Sequence, residues 1–78
     1  MTQTADQVLD CSGLSCPMPV VKTSKAIKGL EIGQVLKMIS TDPGSQADME
    51  AWSRQTGHAL LSSVHDGDKF IYLIQRSK

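Results

Sequence analysis

Two prolines separated by one residue, in Cys16-Pro17-Met18-Pro19, constrain this chain more than any other feature. Proline lacks the amide hydrogen that strand ladders and helix interiors use, but it is tolerated in the first helical turn, where that hydrogen has no partner. The stretch therefore reads as a turn giving way to a helix, with Cys16 as N-cap and Pro17 at the first helical position. The positive end of a helix dipole favours an anion, so a thiol held there should have a depressed pKa and act as a nucleophile. With Pro17 and Pro19 lacking N–H groups, Met18 and Val20 hold the free donors of the first turn, and Met18 is nearer to the sulfur. The preceding Gly13-Leu14-Ser15 lacks the apolar periodicity of a buried element, which favours a presented Cys16 over an inert, packed one.

The rest of the chain alternates between two hydrophobic periods. Residues 7–10 read as a short strand centred on Val8 and Leu9, followed by a turn over residues 11–15. From Pro17 to about Lys28, Val20, Thr23, Ser24 and Ile27 recur on the side of a helix that should meet a sheet, with Gly29 as C-cap. Val35, Leu36, Met38 and Ile39, interrupted only by Lys37, predict a central strand over residues 34–40, ended by the Thr41-Asp42-Pro43-Gly44 turn. A second helix is expected from Ser45, or after a break from Asp48 as N-cap, to Thr56, with Gly57 capping it. Residues 59–65 and 69–75 form a hairpin about Asp66-Gly67-Asp68, with Phe70, Tyr72 and Ile74 on one face and Ile71 and Leu73 on the other. The order βαβαββ predicts an α+β two-layer sandwich, two helices packed on one face of a mixed four-stranded sheet, as a single domain over residues 1–78.

Eight basic and eight acidic residues cancel, without the basic excess of a domain that grips nucleic acid. Trp52, Tyr72 and Phe70 are too few for a base-stacking platform, so direct nucleic-acid binding is not expected. No stretch is long and apolar enough to span a membrane. Residues 1–7 carry neither the basic nor the apolar region of a secretory signal, so a cytoplasmic location is expected, where cysteines usually stay reduced.

Cys11 and Cys16 have a C-x4-C spacing, which matches neither dithiol redox sites nor paired metal ligands, and no phosphate or dinucleotide loop exists; no metal and no cofactor are expected. Cys11 reads as a small apolar filler at a strand end, with a resolving thiol for Cys16 as the alternative. His58 and His65 read as structural or surface residues rather than as a base for Cys16. Met18, Lys22 and Lys25 share a helix face beside Cys16 at i, i+4 and i+7, which makes them either a docking patch or an ordinary solvated face. Asp10 is a candidate for fixing the turn through bonds to backbone amides. Asp42 and Arg54 are read as a turn bond and a surface charge.

Leu9-Asp10, Gly13-Leu14, Cys16-Pro17-Met18-Pro19, Thr41-Asp42-Pro43-Gly44 and Gln55-Thr56-Gly57-His58 together resemble the TusA (SirA-like) sulfur-carrier family, over nearly the whole chain. The resemblance implies the same two-layer architecture, with Cys16 as the acceptor cysteine and Asp10, Gly13, Pro17 and Pro19 supporting its motif. It implies a cysteine desulfurase, a rhodanese or a DsrE-like protein as sulfur donor and a further protein as acceptor. The pathway would be 2-thiouridine formation in tRNA or dissimilatory sulfur oxidation. The chain departs from the family pattern at Cys11 and at Glu50, where the family often has proline.

From the residues alone, a reactive cysteine on a small domain with no evident deep pocket suits carrying a group better than transforming a substrate. A thiolate can take up sulfane sulfur as a persulfide, or as a thiosulfonate, and surrender it by the same exchange. Two other classes remain open at this level. One is a non-catalytic interaction or regulatory module; the other is a thiol–disulfide redox protein using Cys11 and Cys16.

Overall fold

The apolar run predicted to be central becomes the second strand of a mixed sheet. The computed structural model describes residues 5–15 and 17–78. Its elements are β1 (Gln7–Cys11), α1 (Met18–Lys28), β2 (Val35–Ser40), α2 (Ser45–Thr56), β3 (Ala59–Asp66) and β4 (Lys69–Gln75). The strand order is β1-β2-β4-β3, with β1 parallel to β2 and β4 antiparallel to both β2 and β3. The strands β1, β2 and β3 therefore run the same way, and β4 is inserted between two of them. This direction brings the C-terminal ends of β1 and β2 to the same end of the sheet as the β3–β4 turn.

Strand residues alternate faces, so ladder partners form rows that cross the sheet on one side. One helix-facing row is Leu9, Met38, Tyr72 and Ser63, and another is Gln7, Leu36, Ile74 and Leu60. Leu36, Met38, Tyr72 and Ile74 are fully buried, packed with Ile27, Leu30, Met49 and Trp52. Truncating such a side chain, for example Leu36→Ala, costs roughly 2–5 kcal/mol.

The helices join this core by side-chain bonds as well as by packing. α1 buries Pro19, Thr23 and Ile27, and the Thr23 hydroxyl donates to the Pro19 carbonyl at 2.7 Å. The Trp52 indole N–H donates to the Ser24 hydroxyl at 2.8 Å, linking α2 to α1. Past the end of α1, the Arg76 guanidinium donates to the Lys28 and Leu30 carbonyls and so occupies acceptors left free by the helix. Gly57 ends α2 at φ +82, a left-handed conformation, and its N–H donates to the Ser53 carbonyl at 2.9 Å.

Two local features differ from the sequence reading, at the start of α1 and in β3, and the open start of α2 is decided. The N-cap of α1 is Pro17, and Met18 is the first helical residue. The Met18 amide is not free: it closes a turn on the Ser15 carbonyl at 3.0 Å, and the first helical bond runs from the Val21 amide to the Pro17 carbonyl. The expected N-cap, Cys16, lies outside the described residues. α2 runs unbroken from Ser45, with Gly44 as N-cap and Asp48 inside its first turn. β3 carries a bulge at Leu61: Leu60 pairs with Ile74, but Ser62 pairs with the adjacent Leu73. One extra residue reverses the facing of everything after it.

Candidate functional site

The segment leading to Cys16 is held from both sides. The Asp10 carboxylate accepts the Ser12 amide at 2.9 Å, closing a turn on the residues just after β1. Those bonds from Ser12, side chain first and amide second, hold the Asp10 carboxyl below its ordinary pKa. The Leu14 amide then donates to the Cys11 carbonyl at 3.1 Å. Gly13 sits at φ +81, where a side chain would be strained, and its amide donates to the Thr41 hydroxyl at 2.9 Å.

Thr41 brings in the second loop. The Asp42 amide donates to the Ser40 hydroxyl at 3.1 Å, the Gly44 amide to the Asp42 carboxylate at 3.1 Å, and the Ser45 amide to the Asp42 carbonyl at 3.0 Å. Beneath this turn the Ser45 and Tyr72 hydroxyls share a buried hydrogen bond of 2.7 Å. Burial pushes the Tyr72 phenol up, with the Ser45 bond acting against it. The loops before α1 and α2 are thus one bonded unit at one end of the sheet.

Ser15 and Pro17, which flank Cys16, are both exposed, while Pro19 is buried in the first turn of α1. Met18, Lys22 and Lys25 are exposed together on α1. The sequence reading missed Val21, which is 38% exposed between them and makes the patch more apolar; its place at i+3 from Met18 was the available signal.

Cys11 is the reverse case. It is fully buried at the end of β1, within the core cluster. Burial raises its thiol pKa, the Lys22 ammonium opposes that, and the Asp10 carboxylate adds to it. Little of such a thiol is ionised at neutral pH.

Neither histidine is close to Cys11. His65 stands in its row, but across Ser40 and Phe70, which is about 14 Å at ordinary strand spacing; its ring stacks on Phe70 with centroids 4.3 Å apart. His58 precedes β3 at the other end of the sheet, packs against Trp52, and accepts the Ser77 amide on Nδ1 at 3.1 Å. Asp42 makes the turn bond noted above, and Arg54 is an exposed charge in the last turn of α2. Among the described residues, no cluster of three or more His, Cys, Asp or Glu side chains could hold a metal ion, and no helix is long and apolar enough to cross a membrane.

A small two-layer domain with a turn pinned in front of Cys-Pro-x-Pro at a helix start defines a class of carrier domains, and the comparisons say which. The profile of the family described as Sulfurtransferase TusA matches residues 7–76, so the chain belongs to the TusA sulfur-carrier family. It is 47% identical over 72 residues to the sulfur carrier protein TusA of Allochromatium vinosum, covering 92% of this chain and 95% of that one. The putative sulfur carrier protein YrkI of Bacillus subtilis is also 47% identical over 72 residues, covering 92% and 96%. The crystal structure of a SirA-like protein from Desulfitobacterium hafniense superposes with a TM-score of 0.79 at 22% identity, over 92% of this chain and 99% of that one, which shows the shared fold.

Proposed function

We propose that Cys16 is the atom-bearing residue of the carrier, accepting sulfur as a persulfide and passing it to an acceptor protein. The Cys16 thiolate attacks the outer sulfur of a donor persulfide; a new S–S bond forms, the donor's S–S bond breaks, and the donor cysteine leaves as a thiolate. No net oxidation occurs. Reversal of the same exchange on an acceptor thiol completes the relay. A thiosulfonate cargo would arise from attack on tetrathionate, with thiosulfate leaving.

The observation that carries this reading is the bonded unit directly ahead of Cys16: Asp10 on Ser12, and Gly13 on Thr41. It fixes the approach to the cysteine while leaving Ser15 and Pro17 exposed on either side of it. Among the described residues no side chain caps the start of α1, so the helix dipole there favours a nearby thiolate. Pro17 and Pro19 stiffen that turn, and the exposed Met18, Lys22 and Lys25 form the surface on which a donor or acceptor docks. A cysteine desulfurase, a rhodanese or a DsrE-like protein supplies the sulfur, and the acceptor serves tRNA 2-thiouridine formation or sulfur oxidation in the cytoplasm.

Intact-mass spectrometry of the reduced protein tests this, after exposure to a cysteine desulfurase with cysteine and, separately, to tetrathionate. One reducible adduct that persists in Cys11→Ala and is absent from Cys16→Ser is expected. An adduct that forms equally in Cys16→Ser would overturn the assignment.

A further inference from the structure

Among the described residues, no helix packs on the sheet face turned away from α1 and α2, which is largely apolar. Two rows cross it: Asp10, Ile39, Ile71 and Val64, and beside them Val8, Lys37, Leu73 and Ser62. Val8 is 59% exposed and Val64 51%. Between them lies a shallow groove of about 380 Å³, running from Val8 across Lys37 to Val64. The bulge at Leu61 builds one wall: with unbroken pairing Val64 would face the helices, and the extra residue turns it outward. Exposed apolar surface gathered in this way marks interaction sites.

Lys37 determines what fits. Its ladder neighbours are Val8 and Leu73, so its ammonium rises from apolar surroundings, and among the described residues no carboxylate forms an ion pair with it. The other charges on this face flank that row: Asp6, two residues before Val8, accepts the Val35 amide on its carboxylate at 2.8 Å. Asp10 accepts the Ser12 amide, and Asp66 and Lys69 stand opposite each other beside the hairpin turn.

We propose that this face binds an amphipathic helix of a partner protein whose apolar side carries a carboxylate that meets Lys37. A second copy of this chain fits less well, because a two-fold contact would bring the two Lys37 side chains together near the axis. From strand spacing and rise the face measures roughly 300–400 Å², below the about 800 Å² per partner of a standard interface, so a helix bound there is held weakly and exchanges readily. A helix about 10 Å across covers both rows and completes a third layer. This surface lies on the opposite side of the sheet from α1, so the proposal stands or falls separately from sulfur carriage at Cys16.

The test is a displayed library of helical peptides, selected on the immobilised full chain and mapped by amide chemical shifts of the labelled protein. Enriched peptides should carry an acidic residue within an apolar i, i+3, i+4, i+7 pattern and shift Val8, Lys37, Val64, Ile71 and Leu73. Lys37→Glu should weaken those peptides about tenfold or more and enrich basic ones instead, while desulfurase-dependent loading of Cys16 stays unchanged. No enrichment, binders that map to α1, binders without a charge preference, or concentration-dependent self-association through Val8 and Val64 would each overturn the proposal.

Discussion

The Gly13 amide donates to the Thr41 hydroxyl at 2.9 Å, across 28 residues of sequence. This bond ties the turn leading to Cys16 to the turn leading to α2. Gly13 can offer its amide in that direction because it sits at φ +81. The two parallel strands β1 and β2 end side by side, with Cys11 opposite Ser40, and Thr41 is the next residue along. Strand pairing therefore sets the distance, and one hydroxyl uses it.

Replacing Thr41 by Val keeps the shape of the side chain and removes the acceptor. The bond is exposed, so the stability loss should be about 1 kcal/mol or less, read from urea denaturation. The larger effect should be functional, with slower loading of Cys16 by a donor because the approach to it is less fixed. Thr41→Ser should restore the rate. Unchanged loading in Thr41→Val would show that the bond does not shape the cysteine's surroundings.

Ser45 and Tyr72 offer a sharper energetic test, because their bond is buried. Tyr72→Phe leaves the Ser45 hydroxyl without its partner and should cost roughly 1–3 kcal/mol. Ser45→Ala does the same to the phenol. The double variant should be less destabilised than the sum of the two, since no orphaned polar group remains. Additive losses in denaturant titrations would mean that the hydroxyls gain nothing from each other.

His58 predicts a pH dependence. Burial lowers its pKa, and the nearby Arg76 and Lys78 cations act in the same direction. The neutral ring is also the form whose Nδ1 accepts the Ser77 amide. Because the folded value lies below the ordinary one of about 6.5, the unfolded chain binds the proton more readily. The stabilisation is therefore complete above about pH 6.5 and declines as pH falls through that value towards the folded one. Denaturation of the wild type at pH 7.5 and 5.0 should show a larger acid loss than His58→Gln does, with faster exchange of the Ser77 amide at the lower pH. Equal losses in both proteins would remove His58 as the cause.

Most of the architecture was legible because hydrophobic period and turn residues agree along the chain. Val35 to Ile39 could only be a well-covered strand, and Gly29 and Gly57 marked helix ends. The bulge was not legible. Strict alternation puts Leu60, Ser62 and Val64 on one face, whereas the extra residue at Leu61 separates Leu60 from the other two. Register belongs to the pair of strands, and β3 alone carries no sign of it. At the site, the Asp10 turn bond was readable from local turn chemistry, whereas Gly13 entered only through the family resemblance. Thr41, Tyr72 and Arg76 were not readable, since each acts on a residue remote in sequence: Gly13, Ser45 and the end of α1. The prolines located the start of α1 to within one residue, and the turn closed by the Met18 amide accounts for the difference.

Cys11 gives the last prediction, because it separates carrier from dithiol chemistry by reactivity. Its thiol is fully buried and its pKa is raised by that burial, so the thiolate that alkylating reagents require is scarce and shielded. Iodoacetamide at pH 8 should add one group to the native protein, at Cys16, and a second only after unfolding in denaturant. Cys11→Ala should keep the native adduct, load sulfur as the wild type does, and lose about 1 kcal/mol of stability for the small cavity left at the end of β1. If the native protein took two groups at comparable rates, Cys11 would be reaching solvent on the timescale of the reaction. It would then be available to attack a persulfide on Cys16, releasing sulfide and closing a disulfide, and the carrier would be limited by its own second cysteine.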